Sequence, residues 1–284
     1  FYDERGSELF ESICCQPEYY LTRTEEGILA AAAEEIAAIV GPESLLVELG
    51  SGASRKVRLL LEAMRPTRYL GVDISRDFLL QSTRRLAADY AWLEVHAAWA
   101  DFSQRLSLPA GVEGRQVVAF FPGSSIGNFT PAEAEVFLSR LRRTLPRGSG
   151  ALIGVDLVKD RRVLEAAYDD ASGVTAAFNL NLLERMRREL GASVEANNFR
   201  HRAFFNEAAS RIEMHLVSQC AQVINIGSRR FAFSPGETLH TENSCKYHLE
   251  GFQALAERAG FHPVAVWTDT DRLFSVHYLK ATGN

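Results

Sequence analysis

The sequence predicts an α/β chain with a doubly wound parallel sheet and a discontinuous second α+β domain. Short apolar runs alternate with helical patterns from residue 45 to residue 157, which is typical of strands joined by right-handed helical crossovers. After residue 158 the pattern changes to helices followed by strands and turns. The chain has 284 residues, 46% hydrophobic and 24% charged, which is the composition of a globular protein that buries a full core.

The elements of the sheet domain come first. An aromatic, irregular stretch runs to Thr22, and Thr24 is the expected cap of a helix whose apolar positions recur from Leu29 to Ile39. Strands are predicted at 45–49, 69–74, 93–98, 117–121 and 151–157. Helices are predicted between them at 54–64, 78–90 and 131–145, the last with Thr130 as its cap and Pro131 at its first position.

The remaining elements complete both domains. Two helices are expected within 161–190, strands and turns within 199–242, and a last helix at 249–259. Two closing runs, 264–268 and 273–279, predict a hairpin that adds an antiparallel pair to the edge of the sheet. The sheet domain is therefore expected at 23–158, completed by 247–284, and the second domain at 159–246 together with 1–22.

Composition excludes several functions. The chain has 31 basic and 36 acidic residues, so a basic surface for nucleic acid is not expected. No apolar run approaches the ~20 residues of a membrane helix. The four cysteines and seven histidines show no metal-ligand spacing, and free thiols indicate a reducing compartment. We therefore expect a cytoplasmic protein with no metal, membrane or nucleic-acid partner.

A ligand site is predicted at the carboxyl ends of the strands, where doubly wound sheets bind their ligands. The run Glu48-Leu-Gly-Ser-Gly52 ends the first strand, and its glycines allow a tight turn close to a ligand. Asp73 ends the second strand, where a carboxylate accepts hydrogen bonds from both hydroxyls of a ribose. Asp101 follows the third strand and is placed to meet an adenine edge.

Two cofactors compete for this glycine turn. A dinucleotide prefers G-x-G-x-x-G, but Arg55 stands at the third glycine position. S-adenosylmethionine has no phosphate and tolerates E-x-G-x-G, with an acidic residue where Glu48 stands. The closing hairpin also favours a methyltransferase sheet. The spacing therefore favours S-adenosylmethionine, with a dinucleotide site and a nonbinding turn as the alternatives.

Longer motifs follow one another over nearly the whole chain. They are Tyr2-Asp-Glu-Arg-Gly-Ser-Glu-Leu-Phe10, Pro17-Glu-Tyr-Tyr20, Thr22-Arg-Thr-Glu25, Val47-Glu-Leu-Gly-Ser-Gly52, Gly71-Val-Asp-Ile-Ser75, Phe121-Pro-Gly-Ser-Ser-Ile-Gly-Asn128 and Thr241-Glu-Asn-Ser-Cys-Lys-Tyr247. Together they resemble the histidine Nα-methyltransferases that make hercynine for ergothioneine. The resemblance implies a Rossmann-like class I fold dependent on S-adenosylmethionine. It also implies a monomer that trimethylates the α-amino group of L-histidine.

The resemblance also implies which residues form the site. The donor is expected to contact Glu48, Gly50, Ser51, Gly52, Lys56, Asp73, Asp101 and Phe102. The histidine is expected to contact Tyr2, Phe10, Tyr19, Gly123, Asn128, Tyr168, Thr175, Met214, Glu242 and Ser244. Catalytic roles fall to Asn128, Tyr19 and Gly123.

The resemblance also implies the roles of these residues at the backbone end of the substrate. Asn128 and Tyr168 would donate to the substrate carboxylate. The carbonyl of Gly123 would orient the amino group, with Tyr2 nearby and Thr175 on the amine side. Without the resemblance, Asn128 is as easily interpreted as an ordinary turn residue before a helix.

At the imidazole end, Glu242 and Ser244 lie two residues apart on an extended segment and share one face. They would bracket an imidazole N–H while Tyr19 addresses the other nitrogen. Met214 and Phe10 would supply apolar walls. The alternative interpretation of Glu242 is a solvated charge on a strand.

Three other functions stay open at this point. One is a family member that methylates another amino acid such as tyrosine or tryptophan. Another is a dinucleotide-dependent oxidoreductase. The last is a noncatalytic histidine-binding protein that has lost its donor site.

Overall fold

A computed structural model describes residues 1–41, 43–102, 108 and 116–283. The chain divides into two compact units. The sheet unit comprises residues 21–158 and 245–284, and the insert unit comprises residues 1–20 and 159–244. The boundaries after residues 20 and 244 each lie two residues before the positions expected from the sequence, and the boundary after residue 158 lies where it was expected.

The elements alternate along the chain as an α/β protein requires. The helices are α1 (Glu4–Cys14), α2 (Tyr20–Val40), α3 (Arg55–Met64), α4 (Arg76–Asp89), α5 (Pro131–Thr144), α6 (Arg161–Tyr168), α7 (Val174–Leu190) and α8 (Leu249–Arg258). The strands are β1 (Leu45–Leu49), β2 (Arg68–Asp73), β3 (Glu94–Trp99), β4 (Val117–Phe121), β5 (Gly150–Asp156), β6 (Phe199–Asn206), β7 (Arg211–Ser218), β8 (Gln222–Ile226), β9 (Arg229–Phe233), β10 (Thr238–Cys245), β11 (Phe261–Thr268) and β12 (Phe274–Ala281).

The sheet unit contains a seven-stranded sheet in the order β11-β12-β5-β4-β1-β2-β3. Strands β1 to β5 pair in parallel, while β12 runs antiparallel to both β5 and β11. Every residue of β1, β4 and β5 is buried, because helices cover both faces of a parallel sheet. The predicted α/β class and the antiparallel closing hairpin are confirmed.

The start of α5 shows how the sequence fixes an element of this unit. Pro131 stands at the first helical position, and the Thr130 hydroxyl accepts a hydrogen bond from the backbone N–H of Glu133. The Glu133 carboxylate accepts from the Thr130 backbone N–H in return, at 2.8 Å. This reciprocal cap confirms the predicted helix start.

Two expectations for the N-terminal region are wrong. The stretch expected to be irregular contains α1, which Asp3 caps by accepting from the N–H of Gly6 at 2.9 Å. Helix α2 begins at Tyr20 instead of after Thr24. Tyr20 and Leu21 are 3% and 2% exposed, so they extend the buried face of α2 by one turn.

The insert unit combines α1, α6 and α7 with two small sheets. One sheet has three strands in the order β10-β7-β6, and the other is the hairpin β8-β9. Strands β6 and β7 are antiparallel and pair along their whole lengths, from Phe199 opposite Ser218 to Asn206 opposite Arg211. Among the described residues of both units, no helix has the length and apolar character needed to cross a membrane.

Candidate active site

The glycine turn after β1 has the backbone shape that the donor prediction requires. Gly50 and Gly52 have φ angles of +70° and +48°, a region that favours glycine. Gly50 donates its N–H to the carbonyl of Val72 at 2.8 Å. A Cβ on Gly50 would lie 3.4 Å from the Phe102 ring, so a side chain at position 50 would contact another residue of the predicted donor site.

Asp73 fastens this turn to the end of β2. One carboxylate oxygen accepts from the N–H of Gly52 at 3.0 Å, and the other accepts from the N–H of Ser75 at 2.8 Å. Asp101 is exposed beyond β3. An open backbone turn with acidic residues beyond two neighbouring strands fits a nucleoside with free ribose hydroxyls, and this fits S-adenosylmethionine.

Glu48 is a buried member of the predicted donor site, at 1% exposure. It accepts a hydrogen bond of 2.5 Å from the hydroxyl of Tyr69. Burial raises the pKa of Glu48 to about 8, although the Tyr69 bond and the charge of Lys56 act in the opposite direction. The Glu48 carboxyl is therefore largely protonated at neutral pH.

Lys56 and Gly123 meet at one carboxylate. The Lys56 Nζ lies 2.6 Å from Oε2 of Glu25, and the same oxygen accepts from the N–H of Gly123 at 2.8 Å. Gly123 follows β4 with a φ of +78°. Two residues of the predicted site, Lys56 and Gly123, are thus joined by Glu25, which the sequence interpretation did not select as a site residue.

Asn128 ends a 3-10 turn formed by Ser125–Asn128, and its side chain is exposed. The turn is held by Ser124, which is left-handed at φ +55° and whose hydroxyl accepts from the N–H of Asp156 at 2.9 Å. Asn128 is therefore presented on a fixed turn just beyond β4 and is free of any capping role in α5, which Thr130 performs.

In the insert unit, the predicted aromatic residues form a continuous row. The ring centroids of Tyr2 and Phe10 lie 5.7 Å apart, those of Phe10 and Tyr19 lie 6.4 Å apart, and those of Tyr19 and Tyr168 lie 6.1 Å apart. All three pairs meet edge to face, which is a favourable arrangement for aromatic rings.

Polar groups accompany this aromatic row. The hydroxyls of Tyr168 and Ser244 are 2.7 Å apart and hydrogen-bonded, although 76 residues separate them in the sequence. Burial raises the pKa of Tyr19 well above its ordinary value, and the charge of Glu242 adds to this effect. The Tyr19 phenol therefore remains a hydrogen-bond donor at any physiological pH.

Met214 and Thr175 are both buried, at 2% and 3% exposure. Met214 lies on β7, and its backbone carbonyl accepts from the hydroxyl of Thr241 on β10 at 2.9 Å, so this part of β7 is fixed to the strand that carries Glu242. Thr175 lies in the first turn of α7, where its N–H donates to Asp170 at 2.7 Å.

Phe178 is an aromatic residue of this region that the sequence interpretation missed. Its ring lies 5.7 Å from that of Tyr2 and 6.2 Å from that of Phe10. Its signal in the sequence is an apolar position on α7, which cannot be distinguished from ordinary core. Only the contact with α1 reveals it.

Spacing along the chain indicated no metal site, yet the fold brings Glu213, His215 and His240 together, with ligand atoms within 4.8 Å of one another. The Glu213 carboxylate is already bonded to Arg211 at 2.7 Å and to Asn206 at 2.9 Å. Because this carboxylate is neutralised by a guanidinium, we assign no metal to the cluster.

The sheet order and the turn after β1 define the class I fold of S-adenosylmethionine-dependent methyltransferases. Among solved structures, the CcbJ methyltransferase from Streptomyces caelestis is similar in fold, with a TM-score of 0.51, 14% identity and 90% coverage of each chain. The family model described as histidine-specific methyltransferase, SAM-dependent, matches residues 1–281. The chain belongs to this family, and it is therefore an enzyme whose cofactor is S-adenosylmethionine.

Relatives agree with this assignment. The chain is 43% identical over 275 residues to the histidine N-alpha-methyltransferase of Mycolicibacterium smegmatis, covering 95% of this chain and 85% of that one. It is 31% identical over 288 residues to the ergothioneine biosynthesis protein 1 of Neurospora crassa, covering 94% of this chain and 31% of that one. The prediction of a methyltransferase is confirmed, and the dinucleotide-dependent alternative is not supported.

The predicted residues are distributed between the two units. The donor residues all lie in the sheet unit, as do Gly123 and Asn128. The insert unit contains the other predicted substrate residues, namely Tyr2, Phe10, Tyr19, Tyr168, Thr175, Met214, Glu242 and Ser244.

Proposed function

We propose that this enzyme transfers three methyl groups from S-adenosylmethionine to the α-amino group of L-histidine and forms hercynine, the first step of ergothioneine biosynthesis. The observation that carries the proposal is the hydrogen bond between Tyr168 and Ser244, at 2.7 Å. It joins two predicted substrate residues within the insert unit. Ser244 follows Glu242 by two residues on β10, where alternate side chains share a face.

This polar group suits an imidazole. Glu242 accepts from one ring N–H, and the hydroxyl of Ser244 supports the same edge. The protonated phenol of Tyr19 donates to the other ring nitrogen. A buried polar site of this kind rejects a ring without nitrogen, because the carboxylate and hydroxyl would lose their partners.

The backbone end of the substrate needs different groups. In the proposal, the amide of Asn128 donates to the substrate carboxylate and the carbonyl of Gly123 accepts from the amino group. Directing the amine N–H toward that carbonyl leaves the nitrogen lone pair available, which a protonated ammonium would not offer. Asn128 and Gly123 thus bind and orient a neutral amine for an in-line transfer.

In the proposal, the backbone at Gly50, Ser51 and Gly52 holds the donor. Asp73 binds its ribose, Asp101 binds its base, and Lys56 is a further contact. Glu48 and Phe102 complete the donor site at the turn. When bound, the donor supplies a methyl group activated by a sulfonium. The protein groups contribute orientation and the exclusion of water rather than acid–base chemistry.

Similarity supports the assignment of the substrate. The relative from Mycolicibacterium smegmatis is named for histidine, and the fungal relative is named for ergothioneine biosynthesis. We also propose a cytoplasmic monomer with no nucleic-acid partner. A net charge of -5 supports the last point.

The test is the mass of the product. The enzyme is incubated with S-adenosylmethionine and each free amino acid in turn, and the products are analysed by mass spectrometry. We expect mono-, di- and trimethylated histidine in succession, with the added methyl groups on the α-nitrogen. Preferred methylation of tyrosine or tryptophan would refute the histidine assignment, and failure with all amino acids would refute the proposed reaction.

A further inference from the structure

The motif Thr22-Arg-Thr-Glu25 ends on a residue with no role in the proposed donor or substrate contacts. The Glu25 side chain is 0% exposed. Oε2 lies 2.6 Å from the Lys56 Nζ on α3, and both carboxylate oxygens accept from the N–H of Gly123, at 2.8 and 3.1 Å. One buried carboxylate on α2 therefore connects the helix after the glycine turn with the loop after β4.

Strand β5 leaves room for this carboxylate. Gly154 is in the middle of that buried strand, and a Cβ on it would overlap Oε1 of Glu25. The same Cβ would lie 3.1 Å from the Phe274 ring, so a side chain at position 154 would be crowded by Phe274 as well. Glycine in a strand interior weakens the strand, and here it marks a close approach.

The loop held by Glu25 needs such an anchor. Gly123 and Ser124 both have left-handed backbones, with φ angles of +78° and +55°. Without a tether Gly123 could adopt many backbone conformations, because glycine has the widest conformational freedom. The left-handed backbone of Ser124 is strained, because Ser124 carries a side chain. The hydrogen bonds that the Gly123 N–H donates to Glu25 fix the backbone where these two residues begin.

We propose that Glu25 is a positioning residue, which sets the Gly123 backbone and the Lys56 ammonium in one fixed arrangement. This inference rests on the proposed function, in which Lys56 contacts the donor and the Gly123 carbonyl orients the substrate amine. Without the carboxylate, a largely buried ammonium would lose its counter-charge and turn toward solvent. The peptide of Gly123 would lose its acceptor at the same time.

The test compares Glu25→Gln and Glu25→Ala with Glu26→Gln. Glu26 is the matched control, because it pairs with Arg55 at 3.2 Å and links the same two helices one residue along, but at the surface. Three quantities are measured for each variant: kcat with histidine at saturation, the Kd for S-adenosylhomocysteine by calorimetry, and the thermal unfolding midpoint.

For Glu25→Ala we expect kcat to fall about 100-fold, since small misplacements of reacting groups have effects of that size. We expect the Kd for S-adenosylhomocysteine to rise about 10-fold in both Glu25 variants, because each removes the charge that holds Lys56. Glu26→Gln should leave both quantities within about twofold of the wild type, as expected for a surface ion pair.

A purely structural role predicts another result. Glu25→Gln would then lower the unfolding midpoint but match Glu26→Gln in kcat and in Kd, and that result overturns the inference. If Glu25→Ala does not fold, Glu25→Gln decides, because it keeps the side-chain volume. Gly154→Ala is an independent check, since it displaces the carboxylate without changing its charge and should raise the same Kd.

The two proposals fail separately. If the wild-type enzyme does not methylate histidine, the proposed function is wrong, and the calorimetric comparison of Glu25→Gln with Glu26→Gln still tests the positioning role. If histidine is methylated but the Glu25 variants behave like the control, only the positioning role is wrong.

Discussion

Glu242 is the residue on which substrate selectivity depends in the proposed function. It lies on β10 and is only partly exposed, so its carboxylate is not simply a solvated surface charge. Burial raises the pKa of Tyr19, and the charge of Glu242 adds to this effect. In the proposed function, the carboxylate is the acceptor and the protonated phenol is the donor for a ring with two nitrogens.

Replacing Glu242 should therefore change selectivity more than it changes catalysis. For Glu242→Ala we expect the ratio of kcat/KM for histidine to kcat/KM for tryptophan to fall about 10-fold or more, because histidine loses its proposed hydrogen bond to a partly buried carboxylate. Glu237→Gln, an exposed carboxylate just before β10, is the control. An unchanged ratio would argue against the imidazole role.

Individual residues also show what a sequence can and cannot reveal. Gly50 and Gly52 were predictable, because the tight turn after the first strand of such a sheet favours glycine. Tyr168 by itself looks like an ordinary helical aromatic. Its hydrogen bond to Ser244 joins residues 76 positions apart, and no local pattern encodes that distance.

At the scale of elements, α1 is the clearest departure from expectation. Its cap, Asp3, also accepts from Asn181 at 2.8 Å and from Arg188 at 2.5 Å, both on α7. Burial alone would raise the pKa of Asp3, but the hydrogen bonds from Arg188 and Gly6 lower it. Helix α1 is thus stabilised by side chains of α7, far along the chain, which its local sequence pattern does not reveal.

Removing that cap should loosen α1. For Asp3→Ala we expect amide hydrogen exchange in residues 4–14 to become about 30-fold faster, corresponding to about 2 kcal/mol for a lost cap and a lost buried acceptor. Asp3→Asn keeps the capping oxygen and should change exchange much less. Equal exchange in all three proteins would mean that α1 is held by its apolar face alone.

At the scale of the whole molecule, the alternation of strands and helices predicted the sheet class, because a parallel sheet requires long crossovers and buried strands. The insert unit was predictable only as helices followed by strands. Its strand pairings, such as Phe199 with Ser218, depend on turns whose register periodicity does not fix. Donor residues such as Glu48, Asp73 and Asp101 were predicted from the ends of the strands, whereas the substrate residues were predicted through the longer motifs.

The free energy of unfolding should also depend on pH through one buried histidine. His277 is 0% exposed on β12, and burial lowers its pKa from 6.5 to about 4. The unfolded chain therefore takes up a proton at a higher pH than the folded chain does. The contribution of neutral His277 to stability is complete above pH 6.5 and is lost as the pH falls toward 4.

The size of this effect is measurable. At about 1.4 kcal/mol for each pH unit, the whole window corresponds to about 3 kcal/mol. We expect His277→Gln to remove that part of the pH dependence of the free energy of unfolding, measured by urea titration from pH 4 to pH 7. The exposed His262 on β11 is the control, and His262→Gln should keep the wild-type dependence. Parallel curves for all three proteins would contradict the assignment.

The space that Gly154 leaves for Glu25 places a joint constraint on inheritance. A side chain at position 154 overlaps the acid at position 25, so a lineage that acquires one has to displace, shorten or lose that acid. Two codons far apart in the gene are thereby expected to change as a pair, so their co-occurrence across species would record an atomic contact.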